Sequence, residues 1–194
     1  ATKVAVYVFL RFVFTIFGAD FAFGTMHIDY LLLPLALAGI FVASAVAIYQ
    51  SNLKRLLAYS SVAQIGYIML GISFGTITGL TAGIVHLFNH ALMKGALFLA
   101  VGSIFLRINS VQLDDLSGLG KRLPVTSFAF VLAGLGLIGV PLTVGFISKW
   151  YLLLAAIEAG WWPVAVLVLI SSLMALVYIW RFVETAYFRP VPDD

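Results

Sequence analysis

The sequence predicts an all-α membrane protein of about six transmembrane helices, one of them discontinuous. Three observations carry this. Of 194 residues, 63% are hydrophobic and only 10% charged, against about 45–50% and about 25% in soluble domains. The apolar residues fall in long runs that suit spans of about 20 residues. Those runs do not alternate apolar and polar as barrel strands do. With so few charges the chain has no water-facing surface to spare. A soluble enzyme, a disordered tail and a nucleic-acid-binding domain are excluded on the same numbers. The net charge of +3 therefore bears on membrane orientation and not on nucleic acid. With no cysteine, disulfides and thiol chemistry are absent.

The first run spans Lys3–Gly18, the second Tyr30–Gln50, the third Leu56–Gly75 and the fourth Ile77–Leu106. Lys54 and Arg55 lie between the second and third. Arg107, Lys121 and Arg122 flank the 106–123 loop, while the stretch from Asp20 to Asp29 has no Lys or Arg. The positive-inside rule places both basic loops, 106–123 included, in the cytoplasm. Two spans separate them, so the parity is consistent.

The fifth run, Pro124–Ala159, would measure roughly 50 Å as one helix, against a hydrocarbon core of about 30 Å. Two spans with a tight turn would put Arg181 and Arg189 outside; a single crossing keeps both with the other basic residues. Gly139, Pro141 and Gly145 interrupt the run. Proline lacks an N–H and glycine permits unusual backbone angles. The run reads as one broken helix, with a proline kink or a two-helix turn as the alternatives. Broken helices in membranes line cavities and mark ion sites. The sixth run, Trp161–Phe182, completes the set.

The polar residues inside these runs carry the functional information, because an ionisable group at a span's centre costs about 2.5–3.5 kcal/mol. His86, His90 and Lys94 are spaced four and four, on one slowly drifting helical stripe. Such groups exchange protons, so the stripe reads as a proton relay, set against a structural polar network. No acidic or Cys partner accompanies the histidines, so no metal site and no cofactor are expected. Lys149 follows the break in an apolar sequence that continues through Ile157, which favours burial over an interfacial anchor. Lys54 reads either as a relay member or as a topology anchor. His27, Asp20, Asp29 and Glu158 read as loop or interfacial residues.

These residues sit in motifs. The segment from Asn52 to Tyr67, NLKRLLAYSSVAQIGY, resembles a signature of the antiporter-like membrane subunits. That family includes the proton-pumping subunits of respiratory complex I and the large subunits of Mrp-type cation/proton antiporters. His86–Leu99 is similar to its H-x-x-N-H-A-x-x-K-x-x-L-F-L motif, and Gly139–Lys149 to its G-x-P-x-x-x-G-F-x-S/G-K motif. Lys3, Tyr7 and Arg11 match a shorter K-x-x-x-Y-x-x-x-R pattern on the family's other broken helix. The resemblance implies that Lys3, Lys94 and Lys149 are central-axis lysines and that His86 and His90 connect them. Lys54 matches a motif lysine of less defined role.

The resemblance covers the C-terminal half of such a subunit. The family's glutamate that pairs with the lysine at position 3 is not in this sequence, so the chain alone is not expected to transport. The expected partners are other membrane subunits of a larger complex, the lipid bilayer, protons and, in an Mrp-type assembly, Na⁺. The expected location is the bacterial inner membrane. The function expected is proton translocation within an Mrp-type antiporter. The alternatives are a complex I or hydrogenase membrane subunit, which would make the chain part of a translocating oxidoreductase, and a non-transporting scaffold. Neighbouring genes, for redox subunits or for small Mrp subunits, discriminate among them.

Overall fold

The computed structural model describes residues 2–191, which are helical almost throughout. The elements are α1 (Thr2–Arg11), α2 (Asp29–Ile48), α3 (Leu53–Ser73), α4 (Ile77–Ile108), α5 (Leu119–Arg122), α6 (Pro124–Ile138), α7 (Val144–Glu158) and α8 (Trp162–Val183). Local chemistry sets the boundaries. Asn52 opens α3 by accepting the N–H groups of Lys54 (3.0 Å) and Arg55 (3.2 Å). The Thr76 hydroxyl accepts the Gly79 N–H at the start of α4. Pro124 occupies the first turn of α6, where its missing N–H costs nothing. Helices α2, α3, α4 and α8 are each long and apolar enough to cross a membrane.

The first run departs from the single helix expected of it. After Arg11 the chain relaxes into wide π-type turns over Phe12–Phe17, breaks at Gly18 and forms a second such segment over Asp20–Thr25. The expected loop from Asp20 is therefore partly helical.

The fifth run is broken as its glycines and proline predict, over residues 139–143. Gly139 closes α6 with φ +87°, and a Cβ there would lie 2.7 Å from Lys149 Cδ. Both halves pack on α4. The side of α4 from Leu97 to Ile104 shares a cluster with Phe130 and Leu137 of α6. Further back along α4, Asn89 meets Val144, His86 meets Ser148, and Ala82 shares a cluster with Leu152 of α7. Each half thus runs antiparallel to α4, and the pair makes one crossing.

The ends of the bundle agree. Residues 52 and 112 form an antiparallel bridge that joins the two basic loops. Arg181 of α8 donates through Nη1 to Ile48 O and to Gln50 O, and Arg189 pairs with Asp114 at 3.1 Å. Lys54, Arg55, Lys121, Arg122, Arg181 and Arg189 therefore gather at one end. Helix α3 is the most enclosed of the long helices. Large apolar side chains such as Leu169, Leu173 and Trp180 of α8 are exposed on the outside, as a lipid-facing surface requires.

Candidate functional site

The α4 stripe faces inward. His86, His90, Lys94 and Lys149 are all buried, at 0%, 2%, 3% and 5% exposure. None of the four pairs with a carboxylate among the described residues. Burying a cation without a counter-ion is expensive, so what these groups do contact defines the site.

Lys94 Nζ donates to Leu57 O at 2.8 Å and to Ser60 Oγ, both on α3. One turn back, His90 has no hydrogen-bond partner on either ring nitrogen. Its ring stacks on His86 at 6.3 Å between centroids. His90, Lys94 and Lys3 line one cavity of about 510 Å³ with Ser61 and Ile65 of α3. The fold thus joins Lys3, half-buried on α1, to the α4 stripe, although 83 or more residues separate them in sequence.

His86 bridges three helices. Its Nε2 lies 2.9 Å from Gln64 Oε1 on α3, and its Nδ1 lies 2.8 Å from Ser148 Oγ on α7. An amide oxygen only accepts, which assigns the proton to Nε2. Tyr67 meets the His86 ring edge-on at 5.6 Å, and the other side of the site is Lys149, whose Nζ sits 4.7 Å over the Tyr67 ring. Tyr67 is held by its hydroxyl, 2.6 Å from Ser171 Oγ.

Lys149 explains why the break and the lysine occur together. Its Nζ donates to Leu137 O (3.0 Å), Ile138 O (2.8 Å) and Ser172 Oγ (2.9 Å). In an unbroken helix the donor to Leu137 O would be the N–H of residue 141, which is proline. The N–H groups of Gly139 and Val140 close instead on Gly136 O and Leu135 O. The ammonium therefore takes the two carbonyls that the break leaves open. The negative end of the α6 dipole favours a cation at that point. Gly145 and Gly136 let the two halves approach: a Cβ on Gly145 would overlap the Gly136 carbonyl oxygen. A second cavity, of about 270 Å³, adjoins Lys149 between the break and α8.

Four of the six candidate basic residues thus form one file, with Lys3 joining it at the first cavity. Lys54 stands apart: it is exposed, with its ammonium 4.5 Å over the Phe105 ring. Sequence reasoning passed over Ser60, Gln64, Tyr67, Ser148 and Ser172 as site members. Gln64 and Tyr67 lay within a motif and Ser148 beside a singled-out lysine. The Ser171–Ser172 pair in the middle of an apolar span was the signal for α8.

A family model described as NADH:quinone oxidoreductase/Mrp antiporter, transmembrane, matches residues 1–175. The NADH-quinone oxidoreductase subunit N of Desulforudis audaxviator is 44% identical over 159 residues, which cover 82% of this chain and 32% of that protein. Among solved structures, a chain of the Mrp complex from Dietzia sp. DQ12-45-1b superposes with a TM-score of 0.91 at 32% identity, covering 100% of this chain and 35% of that one. A chain of respiratory complex I from Thermus thermophilus gives 0.80 at 26% identity, covering 87% and 36%. The chain spans about a third of the length of these relatives.

Proposed function

Because the chain belongs to the NADH:quinone oxidoreductase/Mrp antiporter membrane family, we propose that it is the proton-carrying half of an antiporter-like subunit, working in a complex with other membrane subunits. The observation that carries this reading is the file of bases between two cavities, Lys3–Lys94–His90–His86–Lys149, the last four buried and none of those four paired with a carboxylate among the described residues. A structural network would pair these cations with carboxylates or replace them with neutral polar groups, since unpaired buried charge is costly. Groups that gain and lose a proton need a site that tolerates both states.

In this reading a proton enters at the cavity beside Lys3 and reaches Lys94. It moves through His90 and His86, each four residues and about 6 Å farther along α4. It leaves through Lys149. The first cavity, lined by Lys3, Ser61, His90 and Lys94, has the polar partners and the room for water that bridges gaps longer than a hydrogen bond. Repulsion between neighbouring cations drives the proton onward.

The NADH-quinone oxidoreductase subunit N relative at 44% identity supports a redox-driven assembly. The Mrp superposition over the whole chain supports the second reading, exchange of H⁺ for Na⁺. The test uses the full-length subunit in its complex, in proteoliposomes. His86→Ala and Lys94→Ala abolish proton flux in either assembly. Flux driven by quinone reduction identifies the first reading and flux driven by a Na⁺ gradient the second. Undiminished flux in both variants would leave the chain a scaffold.

A further inference from the structure

Three of the buried bases share an arrangement that the relay as described does not use. Each touches one serine hydroxyl, and each hydroxyl has a second acceptor in a carbonyl of its own helix. Ser60 Oγ meets Lys94 Nζ and lies 3.0 Å from Leu57 O. Ser148 Oγ lies 2.8 Å from His86 Nδ1 and 3.2 Å from Gly145 O. Ser172 Oγ lies 2.9 Å from Lys149 Nζ and 3.1 Å from Val168 O. The other partners of the two lysine nitrogens are backbone carbonyls: Leu57 O for Lys94, and Leu137 O and Ile138 O for Lys149.

Carbonyls only accept. They serve an ammonium, which donates three hydrogens, and they offer nothing to the lone pair of a neutral amine. Among the hydrogen-bond partners of each lysine nitrogen, the serine hydroxyl is the one group that can donate. The same holds at His86, where Gln64 Oε1 takes the Nε2 proton and leaves Nδ1 as the nitrogen whose state changes.

We propose that Ser60, Ser148 and Ser172 are positioning residues that make the proton-free states of Lys94, His86 and Lys149 attainable, each turning its hydroxyl proton from a helix carbonyl onto the free nitrogen. The inference rests on the reading of these bases as proton carriers. When a proton arrives, the nitrogen donates to Oγ and the hydroxyl turns back to its carbonyl. No bond to the serine proton breaks; the hydroxyl rotates, and the only proton that changes owner is the one passed along the file. A single such contact would be ordinary packing. Its recurrence at three stations, from three different helices, is what a shared requirement produces.

Ser172 gives the cleanest test, because it borders the cavity of about 270 Å³ and a β-branched side chain fits there. Lys149 meets Tyr67 from α3, the two carbonyls of α6 and Ser172 from α8, and His86 from α4 lies against the same Tyr67 ring. Ser172→Thr and Ser172→Val have the same shape and differ in the hydroxyl. Proton flux is measured against pH for both variants in the full-length complex, and Lys149 is titrated directly by ¹⁵N-lysine NMR. Ser172→Val removes both the donor to the neutral amine and an acceptor of the ammonium. Where donation to the amine is the larger effect, as the inference requires, the limb that reports deprotonation moves to higher pH by about one unit, a roughly tenfold loss at fixed pH, and a shift to lower pH would overturn the inference. Ser172→Thr should follow the wild type. Coincident Thr and Val titrations would overturn the inference. Absent flux in the wild type would overturn the carrier reading instead, and the NMR titration still decides the role of the serine.

Discussion

Replacing Lys149 by arginine separates holding a charge from exchanging one. Lys149 Nζ is the donor to Leu137 O and Ile138 O at the broken end of α6. A buried carbonyl left without a donor costs about 1–3 kcal/mol. Lys149→Ala therefore loses about 2–6 kcal/mol of local stability, toward the lower figure where the adjoining cavity admits water. Lys149→Arg keeps a cation and its donors, with cavity space beside it for the larger head, so most of that stability survives. Guanidinium does not release its proton at accessible pH, so flux should fall to background. Lys149→Glu presents an acceptor to two acceptors unless it stays protonated and donates to one of them. It should retain partial flux with a lowered melting temperature. The assay is proton flux in proteoliposomes alongside thermal melting of the same preparations. Wild-type flux in the arginine variant would show Lys149 to be a fixed charge. An alanine variant that melts like the wild type would refute its role in closing α6.

Gly145→Ala drives a methyl into the Gly136 carbonyl and to 3.3 Å from Met93 Sδ. Backbone cannot yield as a side chain does, so the melting temperature should drop by the equivalent of about 1–3 kcal/mol, and flux with it. Lys54→Gln removes an exposed cation–π contact with Phe105, worth about 0.5–1 kcal/mol. Flux should be unchanged, and a loss like that of Lys149→Ala would return Lys54 to the relay. Arg181→Gln cuts the charged bonds that tie α8 to the end of α2, worth about 1.5–3 kcal/mol. Melting should fall while the pH profile of flux keeps its position.

The stripe on α4 was legible because its chemistry lies on one helix. A four-and-four spacing fixes a shared face without any knowledge of the neighbours, and that face is where His86, His90 and Lys94 are buried. The break was legible for the same reason, since Gly139, Pro141 and Gly145 act on their own backbone. The wide turns after Arg11 were not: Phe12–Phe17 is apolar and has no proline, and composition does not distinguish a π-type turn from an α-turn. The partners of the serines were illegible for a different reason. A serine in a span also reads as packing between helices: the motif around Ser60, the Ser171–Ser172 pair and the place of Ser148 beside Lys149 mark polar positions, but each gains its meaning only from a base on another helix. Lys54 shows the converse. Its motif made it a candidate relay lysine, while Asn52 starts α3 just before it and leaves its side chain at the exposed end.

Both buried lysines are held without an acid among the described residues, by backbone carbonyls in each case. Each ammonium is met by helix carbonyls from a neighbouring element, Leu57 O on α3 and Leu137 O with Ile138 O on α6. A carboxylate partner would favour the cation strongly and trap the proton there. Carbonyl dipoles satisfy the donors with partial charge only, so the cation is tolerated without being locked in place. The break in α6–α7 leaves Leu137 O and Ile138 O free for Lys149, whereas Leu57 O, inside the unbroken α3, serves Lys94 through the second lone pair of its carbonyl. Pro141 withholds one N–H, Gly139 turns the chain away, and Lys149, eight residues past the proline, folds back to occupy what they expose. The broken helix is therefore part of the lysine's site, and the lysine part of what closes the end of α6.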